Sequence, residues 1–315
     1  FFMDRKLDAE TGEAEEAEEP FHIKDLGRIL SDGGFWLVAL LCVLYYSAIF
    51  PFQKYAVNML QCNISFTPPA EGSFWASNGV AYAQYVVMLV IAFTSNFSRG
   101  VMKSILLVAS IASLLVFCYM AYCRQSAESI FAVFPLLAVG ITPILGKYVD
   151  NKGKAASMLM LGSILLIICH LTFAFVLPQF KGSPVGGVVL AFATILVLGS
   201  SFSLVPASLW PSVPKLVDSK VIGSAYALIF WIQNIGLWLF PLLIGKVLKA
   251  SNPEVEQALA SGQLTPAEAA VSYNYTNALL MLAMLGVAAL VLGILLKAVD
   301  KKHHLGLEEP NIKPQ

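Results

Sequence analysis

Apolar residues in this chain come in long blocks rather than in stripes, and short polar segments separate the blocks. The blocks lie at about 34–58, 75–95, 103–122, 129–146, 155–178, 184–208, 221–248 and 273–297, and each is near the roughly 20 residues that take a helix across a bilayer. The pattern predicts an all-α polytopic membrane protein of about eight spans. Pro135 and Pro143 predict a kink in the fourth span. Residues 1–33 are polar, with Glu13, Glu15, Glu16, Glu18 and Glu19 clustered, and read as a solvated linker. Within them, His22 to Asp32 has the spacing of a short amphipathic surface helix, Leu26 and Ile29 on one side and Lys24 and Arg28 on the other. The loop at 249–272 holds two short helix signals, one at Pro253 and one at Thr265-Pro266-Ala267-Glu268, with Thr as N-cap and Pro in the first turn. Residues 299–315 read as a polar tail.

Composition agrees with lipid as solvent. The 315 residues are 57% hydrophobic and 13% charged, against about 25% charged in soluble proteins. Net charge is zero and no basic tract occurs, which argues against a nucleic-acid partner. Cys42, Cys62, Cys118, Cys123 and Cys169 lie mostly in or near apolar blocks without metal-ligand spacing. No metal and no cofactor is expected. No phosphate-binding loop, zinc-protease motif or Ser-His-Asp set occurs, so the chain is not read as an enzyme. Phe1-Phe2-Met3-Asp4-Arg5-Lys6 reads as the end of an apolar helix meeting a basic edge, which predicts a longer polypeptide with an N-terminal half upstream.

Charge sets the orientation. With 1–33 in the cytoplasm, fifteen of the 20 Lys and Arg residues fall in cytoplasmic segments and five, Lys54, Arg124, Lys181, Lys246 and Lys249, do not. Both ends of the chain are therefore expected in the cytoplasm.

Polar groups at membrane depth need a partner or a task. Tyr46, Phe50 and Gln53 share one face of the first span beside Pro51, which predicts a stripe facing a small-molecule cavity; helix packing, with Lys54 snorkelling, is the competing reading. Ser203 and Trp210 share a face near Pro206, where close helix packing or an interfacial anchor would serve as well. Tyr226, Phe230 and Gln233 align in the seventh span with Asn234 beside them, and the adjacent amides predict a water-filled cavity, with bonds across helices as the competing reading. His170 is read either as a proton relay or as a histidine bonded to backbone.

The loop at 146–154 resembles the short cytoplasmic loop of the major facilitator superfamily, Gly-x-x-x-Asp-(Arg/Lys)-x-Gly-(Arg/Lys)-(Arg/Lys). Gly146, Asp150, Gly153 and Lys154 match, and Asn151 and Ala155 depart. Tyr45-Tyr46 with Phe50-Pro51-Phe52, Ser208 to Pro211, Gly223 to Tyr226 and Ile232 to Leu237 are similar to the lysosomal dipeptide-transporter branch. The resemblance implies a distant, bacterial relative in an inner membrane. It implies twelve core helices in two halves, residues 34–298 being the C-terminal half, with a hairpin inserted at about 75–122. It further implies alternating-access transport of a dipeptide-like solute, Tyr46, Phe50, Gln53, Ser203, Trp210, Tyr226, Gln233 and Asn234 lining the cavity, and Gly146, Asp150, Gly153 and Lys154 forming a gating loop. A non-transporting receptor or scaffold on the same fold is the alternative.

Overall fold

The computed structural model describes residues 23–311 apart from 68 and 70. Most of the expected acidic linker, residues 1–22, and the end of the tail lie outside them. The described residues form helices and turns, with no strand among them.

α1 (Ile23–Leu30) is the amphipathic helix expected before the first span; Ile29 is buried and Arg28 exposed. α2 (Gly33–Asn63) follows at once. Its N-cap is Asp32, whose Oδ1 accepts the amides of Gly34 at 2.6 Å and Phe35 at 3.3 Å. α3 (Asn78–Phe97) and α4 (Gly100–Arg124) are the expected hairpin. The expected fourth span forms as α5 (Ala127–Phe131) and α6 (Val133–Lys152). Pro135 falls in the first turn of α6, where its missing amide costs little.

α7 (Ala155–Leu171) widens into a π turn at Thr172–Val176 and tightens into a 3₁₀ turn at Leu177–Phe180. α8 (Pro184–Leu216) and α9 (Ile222–Ser251) complete the middle of the bundle. The short α10 (Pro253–Ala260) and α11 (Pro266–Ala270) stand where the loop signals put them. Thr265 and Glu268 close a reciprocal capping box on α11. α12 (Thr276–His303) is the last helix. Among the described residues seven helices are long and apolar enough to cross a membrane: α2, α3, α4, α7, α8, α9 and α12.

α2 is central and packs on α8, α9 and α12; α8 also packs on α6 and α7. Small residues let the backbones close up. At Gly286 of α12 an added Cβ would meet Ile167 Cγ1 of α7 at 2.8 Å. The Tyr45 hydroxyl, fully buried, joins α2 to α7 through the Leu159 carbonyl and through Ser163 Oγ at 2.5 Å. The hairpin is different. α3 and α4 pack on each other and reach the bundle mainly through α5, with Ala121 meeting Val133 of α6. Tyr82, Phe93, Phe97, Val101 and Val108 all stand exposed on the hairpin. Apolar side chains on most sides of a helix are stable only against lipid, so the hairpin belongs on the rim of the bundle.

Two ends of the bundle are tied differently. At one end Asn58 of α2 donates to the Ala270 carbonyl at 2.8 Å and accepts from the Tyr275 hydroxyl. At the other, Arg28 of α1 pairs with Asp218, between α8 and α9, at 2.7 Å. The Lys220 amide first, and the Arg28 guanidinium after it, hold the Asp218 carboxyl below its usual range.

Candidate functional site

Prolines shape the ends of α8 and so the site beside them. Pro214 has no amide, so the Trp210 carbonyl one turn earlier lacks its helical donor. The Tyr226 hydroxyl of α9 supplies a donor at 2.9 Å. Trp210 is thereby held against α9, and its Nε1 donates to the Tyr46 hydroxyl of α2 at 3.2 Å.

These bonds assemble a wall of rings from three helices. Tyr46 stacks on Phe50 with centroids 5.4 Å apart, and Trp210 stacks on Phe230 at 4.7 Å. Phe202 meets Tyr46 edge-on at 6.1 Å and Phe50 at 5.6 Å. Trp210 lies 5.9 Å from Tyr226. The wall is open on one side: Phe50 is 37% and Phe230 48% exposed, whereas Tyr46 is only 8% exposed. Beyond Phe50 the wall runs into a cleft of about 420 Å³ lined by Phe50, Pro51, Gln53, Lys54, Leu237 and Pro241. Two prolines face this cleft, so α2 and α9 are both interrupted at its level.

The structure therefore brings Tyr46, Phe50, Trp210 and Tyr226 together and sets Gln53 next to them. It places the other predicted residues elsewhere. Gln233 is buried against α2, its Oε1 accepting the Cys42 thiol at 3.5 Å. Ser203 is buried and donates to the Gly199 carbonyl of its own helix at 2.9 Å. Asn234 is exposed beside the wall, its amide given to the Phe230 carbonyl at 2.8 Å. Sequence reasoning missed Phe202, although it precedes Trp210 by eight residues and shares its face. His170 is buried, donates to the Leu166 carbonyl of its own helix at 2.9 Å, and meets Phe52 edge-on at 5.3 Å.

The loop at 146–154 is engaged within the chain. Gly153 takes a φ of 73° and Lys154 of 68°, a left-handed pair that turns α6 into α7. Residues 305–311 fold back onto this turn as a strap. The Lys154 and Ala155 amides donate to the Glu308 and Leu307 carbonyls at 3.2 and 3.0 Å. Leu307 is fully buried, and its amide donates to Asp300 Oδ1 at 2.9 Å. Lys215 of α8 donates to the Gly306 carbonyl at 2.7 Å, and Asn311 to Asp150 Oδ1 at 2.8 Å. The strap thus joins the ends of α6, α7, α8 and α12. Gly146, by contrast, lies inside α6 with open space at its Cα.

No group of His, Cys, Asp and Glu among the described residues could hold a metal ion. No family model and no solved structure matches the chain. Curated relatives do. The chain is 24% identical over 245 residues to the lysosomal dipeptide transporter MFSD1 of Bos taurus, 24% over 251 residues to that of Danio rerio and 22% over 245 residues to that of Homo sapiens. Each match covers 78% of this chain but 37–39% of the relative, so the chain spans under two-fifths of their length. On these matches the chain is a distant relative of the major facilitator superfamily, similar to its lysosomal dipeptide-transporter branch.

Proposed function

We propose that this chain is the C-terminal half of an alternating-access membrane transporter for a small, dipeptide-like solute. The observation that carries the reading is the open aromatic wall of Tyr46, Phe50, Phe202, Trp210 and Tyr226, continuous with a cleft that holds an amide and a cation. Rings accept side chains of many shapes, and the Gln53 amide both donates and accepts, as a peptide group requires. The half rocks as a body against an N-terminal half around this surface. Asp150 exchanges the Asn311 amide for a helix N-terminus of the other half when the gate on that side closes. Both ends of the chain lie in the cytoplasm, because that orientation gives the strong bias of basic residues.

The test is counterflow of a labelled dipeptide into proteoliposomes holding the full-length protein. Saturable uptake that other dipeptides compete away is the expected result. Binding without uptake would support a receptor instead, and neither binding nor uptake would refute the reading.

A further inference from the structure

Lys54 brings a formal charge to the cleft. It is exposed, lines the cleft with Phe50, Gln53, Leu237 and Pro241, and makes no hydrogen bond or ion pair with any described residue. An ammonium at the end of an apolar wall, with no carboxylate bound to it, is a ready partner for an anionic group of a solute. Snorkelling would place its ammonium among lipid headgroups. Its position argues otherwise: Tyr46, Phe50 and Lys54 follow one another at four-residue spacing, so they occupy one face of α2, the face of the aromatic wall. The wall therefore ends in a positive charge.

Distance makes the arrangement selective. Eight residues of helix separate Tyr46 from Lys54, about 12 Å along the axis, while two extended residues span at most about 7 Å. A dipeptide whose carboxylate rests on Lys54 therefore reaches Phe50, one turn away, with Gln53 beside its peptide group, and stops short of Tyr46. Alone among the wall and cleft side chains, Lys54 carries a formal charge, and its sign selects an anion.

We infer that Lys54 is the carboxylate-binding group of the cleft, so that this half itself selects solutes with a free anionic end. The inference rests on the transport reading above and adds a specificity determinant to it.

The test compares alanyl-alanine with alanyl-alaninamide as competitors of uptake by the reconstituted full-length protein. Wild type should favour the free carboxylate by about tenfold, the scale of one charge-assisted hydrogen bond. Lys54→Gln should erase that preference by weakening alanyl-alanine alone, and Lys54→Arg should keep most of it. A wild type that does not discriminate, or a Lys54→Gln protein that still does, overturns the inference and leaves the transport reading standing. A wild type that transports neither compound sinks both. Should Lys54→Gln fail to fold, modification of wild-type Lys54 by trinitrobenzenesulfonate, read by mass spectrometry, decides. Protection by alanyl-alanine and not by its amide supports the assignment; equal protection, or none, refutes it.

Discussion

Glu308 closes the N-terminus of the helix that begins at Ala155: its Oε1 accepts the Ser157 amide at 2.8 Å and its Oε2 the Ser157 hydroxyl at 2.7 Å. A residue 151 positions away in sequence thus does the work of a local cap. Lys297, 3.6 Å from the same carboxylate, adds a countercharge. Glu308→Ala should cost about 1–2 kcal/mol, the usual range for a lost helix cap, and lower the thermal midpoint of the detergent-solubilised protein. Glu308→Gln, which keeps an acceptor, should cost less. Equal midpoints for all three proteins would mean that the strap is not held by this contact.

Gly153 makes room for the strap. An added Cβ would strike the Glu308 and Glu309 backbone, and its φ of 73° disfavours any side chain. Gly153→Ala should therefore release the strap, and exchange at the Lys154 and Ala155 amides should rise at least tenfold. Unchanged protection at both amides would contradict the role assigned to Gly153.

The bond from Tyr226 to the Trp210 carbonyl exists because Pro214 removes the native donor. Tyr226→Phe should cost about 1 kcal/mol, the usual net worth of such a bond. In a Pro214→Ala background the helix can supply its own amide, so the same change should cost less. A double-mutant cycle on thermal midpoints measures the coupling. Additive effects would contradict it.

The pair between Arg28 and Asp218 should survive moderate acid. The Lys220 amide and then Arg28 depress the Asp218 carboxyl, so its contribution is complete above the unfolded value and is lost as pH falls through the lower folded value. That loss comes below about pH 3.9. Exchange at the Lys220 amide, corrected for intrinsic rate, should be equal at pH 7 and pH 4, where an ordinary carboxyl is already about half protonated. A rise at pH 4 would show an ordinary, unheld carboxyl.

Much of the fold is legible in the sequence because a helix in lipid must be apolar on most faces, and length then counts spans. Boundaries are harder. Residues 209–216 turn polar and proline-rich, yet α8 continues through them, and the Tyr226 hydroxyl meets the Trp210 carbonyl that Pro214 orphans. The strap is invisible to periodicity: Leu305 to Asn311 is too short for a pattern, and its partners are remote in sequence. At the site, ring spacing along one face announces Tyr46 with Phe50 and Tyr226 with Phe230. The amides are ambiguous, since one at membrane depth can meet water or another helix. Gln233 turns to Cys42 and Asn234 to its own backbone, and spacing alone does not separate those outcomes.

If the chain transports a solute as proposed, the wall around Phe50 faces an aqueous, solute-occupied cavity. Phe50→Cys in a full-length protein freed of its other cysteines, labelled with a water-soluble maleimide, tests it most directly. Rapid labelling that alanyl-alanine slows in a saturable way is the expected result. A cysteine that does not label, or whose labelling no dipeptide alters, would contradict it.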